Sequence, residues 1–382
     1  MPERHPPRIA VATFLLAACG GAPPEPAEPP PNPGPIVMQR PPQPAPAPAP
    51  AAPSITAKPA VTAAAPAPVS SGGVTEPATR CPLTGRALFP PGTLIQNPAG
   101  KPIARFSGAE ASVTVTAITL ASSARAFVET GTGRGNLRVR GFVEARKLPA
   151  FTLQAVPVFA QNVAIGAQRS VSIVGATADG KLKVEKVLAT PVQQTFTAWT
   201  TCPALTLTPG VPPAWSPAGD ARGYVARRGS IELFDAPQGS SVGQLYKAPA
   251  VPGLLFFSSE QANGWVRVEM HGEIIATAWA KASDLSPLPR GETMDQLAPP
   301  NTARTPARLV VPGAPKVARA LKEVMVRGAA SDTELPIGVL EPDAEVYVVD
   351  VMAGWASVMP RALDVVPPEG GSFWVKKTDL GL

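Results

Sequence analysis

The stretch VMVRGAASDTELPIGVL at residues 324–340, followed by DAEVYVVDVMAGWASV at 343–358, decides the fold class. In AEVYVVDV (344–351), valines alternate with other residues, and Gly, Pro and Asp interrupt the apolar runs on both sides. Alternation with a period of two places apolar side chains on one face of a strand, and the interruptions are typical of hairpin turns. The stretch therefore predicts short antiparallel strands.

The same pattern recurs along the rest of the chain, in ASVTVTAI (111–118), RSVSIVG (169–175) and KLKVEKV (181–187). Four further segments share an aromatic residue followed six positions later by Leu: FVEARKL (142–148), WTTCPAL (199–205), WAKASDL (279–285) and WVKKTDL (374–380). Each segment closes a block of roughly 55–95 residues. Short strands in units of this size favour small β-barrels. We therefore predict an all-β chain of four tandem modules, at 81–149, 150–208, 222–288 and 316–382.

The fourth module resembles the bacterial SH3-like domains. Residues 324–340 resemble their opening V-R-x-G-x-S, residues 343–358 resemble G-x-x-V-x-V followed by G-W-x-x-V, and WVKKTDL resembles the closing strand. The second module departs most, since it lacks both the P-x-G turn and the Gly-Trp pair. The resemblance implies small SH3-like β-barrels that bind peptidoglycan or its peptide stems without catalysis. It places the ligand contacts near Gly264-Trp265 and Gly354-Trp355.

The N-terminus reads as a bacterial lipoprotein signal. Arg4 and Arg8 precede the apolar run IAVATFLLAA (9–18), which is too short to cross a bilayer as a helix. The run ends in LAAC (16–19), which resembles a lipobox and implies a lipid on Cys19. An ordinary secretory signal with an incidental cysteine is the alternative. We predict a signal peptide at 1–18 and a membrane anchor in the cell envelope, at the outer membrane rather than the inner.

A disordered, Pro/Ala-rich tether is predicted for residues 19–80. Residues 22–80 contain 19 prolines among 59 residues. Such a segment cannot bury enough apolar area to offset its chain entropy, and proline keeps it extended.

The sequence carries little catalytic chemistry. Its two histidines are His5 and His271, and its three cysteines are Cys19, Cys81 and Cys202. This scarcity excludes most histidine-dependent catalysis and most Cys/His zinc sites, so we expect neither an enzyme nor a metal or other cofactor. GSSVG (239–243) matches the serine-hydrolase pattern G-x-S-x-G, but it coincides with a turn that recurs at 98–104. We interpret it as a turn, and His271 as a solvated loop residue.

Cys81 and Cys202 are candidates for a disulfide, with two free thiols as the alternative. An oxidising compartment favours the bond, which would close a loop of 121 residues. It would make the first and second modules one rigid pair.

Arg138 and Arg140 alternate on one predicted strand, so they share a face that could attract phosphate or carboxylate polymers. A merely solubilising face is the alternative. Nucleic acid is disfavoured as a partner, because aromatic platforms are missing among the basic residues.

Trp265 and Trp355 would either stack on a ligand or belong to the core. The alternative function is a scaffold that binds envelope proteins through exposed sheet edges.

Overall fold

The computed structural model describes residues 78–120, 123–131, 135–249, 253–289 and 315–382. Within these ranges the regular structure consists of β-strands and four short 3-10 helices, which confirms the all-β prediction. The predicted signal peptide, Cys19 and the tether as far as residue 77 lie outside the described residues. The first strand begins at Ala78, inside the segment predicted as tether. No helix in the described ranges is long and apolar enough to span a membrane.

The described elements of the first two modules follow in chain order. The first module contains β1 (Ala78–Leu88), β2 (Leu94–Gln96), β3 (Pro102–Phe106), β4 (Glu110–Thr119), β5 (Arg125–Thr130), β6 (Leu137–Glu144) and the 3-10 helix η1 (Ala145–Lys147). The second contains β7 (Ala150–Thr152), β8 (Val156–Phe159), β9 (Val163–Ile165), β10 (Ser170–Ala176), β11 (Lys181–Leu188), β12 (Gln194–Thr201), η2 (Cys202–Ala204) and β13 (Leu205–Thr206).

The last two modules repeat this order. The third contains β14 (Arg222–Ala226), β15 (Ser230–Phe234), β16 (Ser241–Tyr246), β17 (Leu255–Ala262), β18 (Trp265–Met270), β19 (Ile274–Lys281), η3 (Ala282–Asp284) and β20 (Leu285–Pro287). The fourth contains β21 (Lys316–Arg319), β22 (Val324–Arg327), β23 (Pro336–Leu340), β24 (Glu345–Met352), β25 (Trp355–Pro360), β26 (Val365–Val366), β27 (Phe373–Lys376) and η4 (Lys377–Leu380).

The aromatic-to-leucine repeat marks the same structural unit in every module. Each repeat runs from the last strand of a three-stranded meander through a 3-10 helix to a buried leucine; the four are Leu148, Leu205, Leu285 and Leu380. In three modules the repeat aromatic also pairs with a two-stranded hairpin earlier in its module; the pairs are Gln96–Phe142, Phe234–Trp279 and Arg327–Trp374. The repeat therefore fixes where the meander ends and where the hairpin attaches.

The sheets continue across module boundaries. Strand β6 of the first module pairs with β23 of the fourth, and β9 of the second pairs with β19 of the third. Thirteen strands of the first and fourth modules thus form one sheet, whose main strand order ends at β1 and β21. The described residues of each module therefore do not form a separate closed barrel. The hairpin edge that could close a module pairs instead with a strand of the neighbouring module.

One continuous hydrophobic core runs through the four modules. The strands supply its side chains alternately, because a strand with one covered face buries every second residue. Along β19 the buried residues are Ile274, Ala276, Ala278 and Ala280. A disulfide joins Cys81 on β1 to Cys202 on η2, with the two Cα atoms 5.4 Å apart and both residues buried. The first and second modules are therefore covalently linked, and the bond lies inside the core.

Candidate binding surface on the second module

The two tryptophans predicted as ligand contacts are occupied by packing. Trp355 is buried, and the ammonium group of Lys376 lies 5.8 Å from the centre of its ring. Trp265 is half-buried and meets Phe234 edge-on, with ring centroids 4.9 Å apart. Of the two alternatives left by the sequence, the geometry favours the core position for both rings.

Arg138 and Arg140 do not form a free basic face, because carboxylates pair with both. Arg138 lies where β6 meets β23, and its side chain reaches Glu341 at 3.1 Å and Glu323 at 3.5 Å. Arg140 pairs with Glu129 at 3.1 Å. Arg138 therefore helps to hold the fourth module against the first.

The two bodies that meet at Arg138 carry net charges of opposite sign. Residues 78–289 contain 20 Lys and Arg against 12 Asp and Glu, a net charge of +8. Residues 315–382 contain 7 basic and 10 acidic residues, a net charge of −3. The fourth module is thus acidic and docks on a basic body, and it supplies two of the carboxylates near Arg138, Glu323 and Glu341.

The G-x-S-x-G segment is a hairpin strand rather than a nucleophile turn. Ser241 begins β16, and a Cβ on Gly243 would lie 2.4 Å from the ring of Phe159 in the second module. The glycine is required for that close approach. His271 lies elsewhere: its ring stacks on Trp215, with centroids 4.2 Å apart, and this burial lowers the pKa of the imidazole against an opposing effect of Glu269. His271 lies in the loop between β18 and β19 as predicted, but Trp215 covers one face of its ring, so the side chain is only partly solvated.

An exposed aromatic side chain does occur, on the outer face of β10, β11 and β12. Trp199 on β12 exposes 51% of its surface, while its neighbours Phe196, Ala198 and Thr200 point into the protein. Residue pairing places Lys183 directly opposite Trp199, and the glycine Gly175 opposite Lys183. The indole ring therefore lies on an open surface next to a long cationic side chain.

Threonines extend this surface on both sides of the tryptophan. Thr197 and Thr201 are exposed on the same face of β12, and Thr197 pairs across the sheet with Glu185. Lys183 makes no ion pair within the described part of the chain. We call the surface formed by Lys183, Thr197, Trp199 and Thr201 the Trp199 face. It combines an apolar ring, two hydroxyl groups and an uncompensated ammonium group.

A groove adjoins the Trp199 face where the second module meets the first. It encloses about 480 Å³ between η1 and the outer side of β10 and β11. A further lobe of about 370 Å³ continues it towards Glu273 of the third module. The two lobes share four lining residues, so they form one elongated groove, named here the junction groove: Phe151, Ser170, Lys186 and Val187.

Sequence reasoning missed both features, although Trp199 was recognised as a repeat aromatic. Alternation shows that a strand has two different faces, but not which face the rest of the protein covers. The junction groove brings together residues from three modules, among them Lys147, Lys186 and Glu273. No local sequence signal indicates such a meeting. Within the described ranges, no three His, Cys, Asp or Glu side chains lie close enough together to hold a metal ion.

The fourth module carries a different kind of surface, an apolar hairpin tip between β24 and β25. Val351 and Met352 are each about half exposed there. Ala353 takes a positive φ of 44°, a conformation that favours Asn or Gly. The equivalent turn of the third module places Asn263 at this position, with a φ of 46°. The fourth module thus has alanine, Ala353, at a turn position whose backbone conformation favours Asn or Gly.

Comparison with known proteins adds no further assignment: no family model, no curated protein and no solved structure matches this chain.

Proposed function

We propose that this chain is a non-enzymatic, lipid-anchored binding protein of the bacterial cell envelope, whose SH3-like modules recognise peptidoglycan. The proposal places the main contact on the Trp199 face of the second module. It retains the predicted ligand class and moves the contact away from Trp265 and Trp355.

The order of elements supports the SH3-like interpretation of the modules. A hairpin, a three-stranded meander and a 3-10 helix follow one another in each module. In the third module the strand after the 3-10 helix returns to the first strand, since β20 pairs with β14. In the second module β13 pairs with β7 in the same way. These returns bring the two ends of a module together, as a small barrel-like fold requires.

The exposure of Trp199 is the observation that carries the proposal. A large aromatic ring that is 51% exposed on a flat sheet face gains little from the fold and is available to stack on a ligand. Sugar rings present apolar C–H faces and hydroxyl groups, which match an indole flanked by Thr197 and Thr201. Peptide stems carry carboxylates, which match the ammonium group of Lys183. A glycan that carries short acidic peptides therefore fits this surface.

Co-sedimentation of the full chain with purified peptidoglycan sacculi tests the proposal. Exposed tryptophans that act as binding anchors typically cost more than about 1.4 kcal/mol when truncated, which is tenfold in affinity. Trp199→Ala is therefore expected to weaken binding at least about tenfold, also at high salt. Tyr246→Ala is the matched control, because Tyr246 is 47% exposed on the third module. Equal binding by wild type and Trp199→Ala would overturn the proposal.

The scaffold alternative is favoured by one feature, the apolar hairpin tip of the fourth module. Exposed apolar residues at a strained turn are suited to a protein partner. Met352→Asp should abolish the capture of such a partner by the immobilised chain and leave sacculus binding unchanged. If sacculus binding is lost instead, the tip belongs to the wall-binding surface and the scaffold alternative fails.

A further inference from the structure

We infer that the junction groove is a second subsite of the same binding surface and takes the carboxylate end of a short, extended peptide. The inference rests on the proposed function and specifies its ligand: the Trp199 face holds the sugar, and the groove holds the peptide attached to it.

Charge is the first reason. Four basic side chains line the groove, namely Arg146, Lys147, Arg169 and Lys186, against two acidic ones, Glu185 and Glu273. The groove therefore has a net excess of two positive charges. This charge favours an anionic ligand over a neutral or cationic one.

The distribution of ion pairs shows where that anion binds. Arg146 pairs with Glu185 at 3.3 Å, while Arg169 and Lys186 share the carboxylate of Glu273. Lys147, on the same 3-10 helix as Arg146, is exposed and forms no ion pair in the part of the chain that the structure describes. A ligand carboxylate can therefore pair with Lys147 without breaking an existing contact.

A second unsatisfied donor lies at the far lobe. The Nε atom of Arg169 is buried and has no hydrogen-bond partner among the described residues. Buried donors of this kind are rare, because each one left unpaired costs stability. Because this atom is closed off from solvent, a ligand oxygen reaches it only if the Arg169 side chain turns into the far lobe.

The floor of the groove indicates a peptide rather than a bare anion. Leu88 is 42% exposed and Val187 is 70% exposed, and both line the groove with the ring of Phe151. Such a floor favours a ligand that presents small apolar side chains together with its charge. Inorganic phosphate offers the charge but no apolar contact.

The distance to Trp199 connects the two subsites. Glu185 lines the groove and pairs across the sheet with Thr197, which lies two residues before Trp199 on β12. Two residues along a strand span about 7 Å. A sugar stacked on Trp199 therefore lies about two residue lengths from the edge of the groove, a span that an extended peptide attached to that sugar can cover.

Calorimetric titration of the full chain with N-acetylmuramyl-L-alanyl-D-glutamic acid tests the inference, with the diamide of the same compound as the second probe. We expect the diacid to bind at least fivefold more tightly than the diamide. Lys147→Ala should remove this preference, and Lys147→Glu should reverse it. Lys316→Ala is the matched control, because Lys316 is exposed and makes no ion pair with a described residue.

Three results would overturn the inference. One is equal affinity for diacid and diamide, another is full retention of affinity in Lys147→Glu, and the third is complete displacement of the diacid by millimolar inorganic phosphate. The proposed function is tested separately, by the binding of Trp199→Ala to peptidoglycan sacculi. If that variant loses sacculus binding while Lys147→Glu keeps its affinity for the diacid, the groove inference alone fails. If Trp199→Ala binds sacculi like wild type, the proposed function fails whatever the titration shows.

Discussion

Replacing Cys81 and Cys202 together by alanine removes the covalent link between the first and second modules. The bond spans 121 residues of sequence. Chain-entropy estimates assign about 5 kcal/mol of stabilisation to a loop of that size, since an uncrosslinked unfolded chain is far less restricted. Most folded domains are stable by only about 5–15 kcal/mol, so the loss is a large fraction of the total.

Equilibrium unfolding in guanidinium chloride, followed by far-UV circular dichroism, measures this loss. With a denaturant dependence of about 5 kcal/mol/M, the midpoint should fall by about 1 M. Reduction of the wild-type chain should lower its midpoint by a similar amount and leave the double alanine variant unchanged. A shift below about 0.2 M in both experiments would refute the reasoning, because the unfolded chain would then gain little freedom from the loss of the bond.

Three further predictions concern single side chains. Burial raises the pKa of Asp364 above 3.8, so the folded state loses stability as the pH rises from 3.8 through that raised pKa; Asp364→Asn should raise Tm at pH 7, and the gain should disappear as the pH falls to 3.8. Burial lowers the pKa of His271 below 6.5, so the folded state loses stability as the pH falls from 6.5 through the lowered pKa. In Trp215→Ala the ring is uncovered, and NMR titration should show a His271 pKa nearer 6.5. Gly243→Ala should destabilise the chain by about 1–3 kcal/mol in denaturant titrations, because the new Cβ overlaps Phe159; an unchanged midpoint would contradict the packing argument.

Much of the local structure could be predicted from the sequence because its causes are local. Period-two alternation depends on neighbours two residues apart, so it predicted strands such as β24 and β11. The aromatic-to-leucine spacing marked the end of each meander, and the leucines are buried as core positions of the repeat. The sequence also reduced the cysteines to one candidate pair outside the predicted lipid site, and the structure joins that pair.

Tertiary structure alone decided which modules are neighbours and which surfaces stay open. Strand β6 pairs with β23 some 200 residues later, and no local pattern specifies which edge of a sheet receives a distant strand. The same long-range pairing brings Glu341 to Arg138 and so removes the basic face that the sequence suggested. Trp199, Trp279 and Trp374 occupy the same position of the repeat, yet Trp199 is exposed and the other two are half-buried. The sequence determined that each strand has two faces; which face is covered depends on the packing of the whole chain.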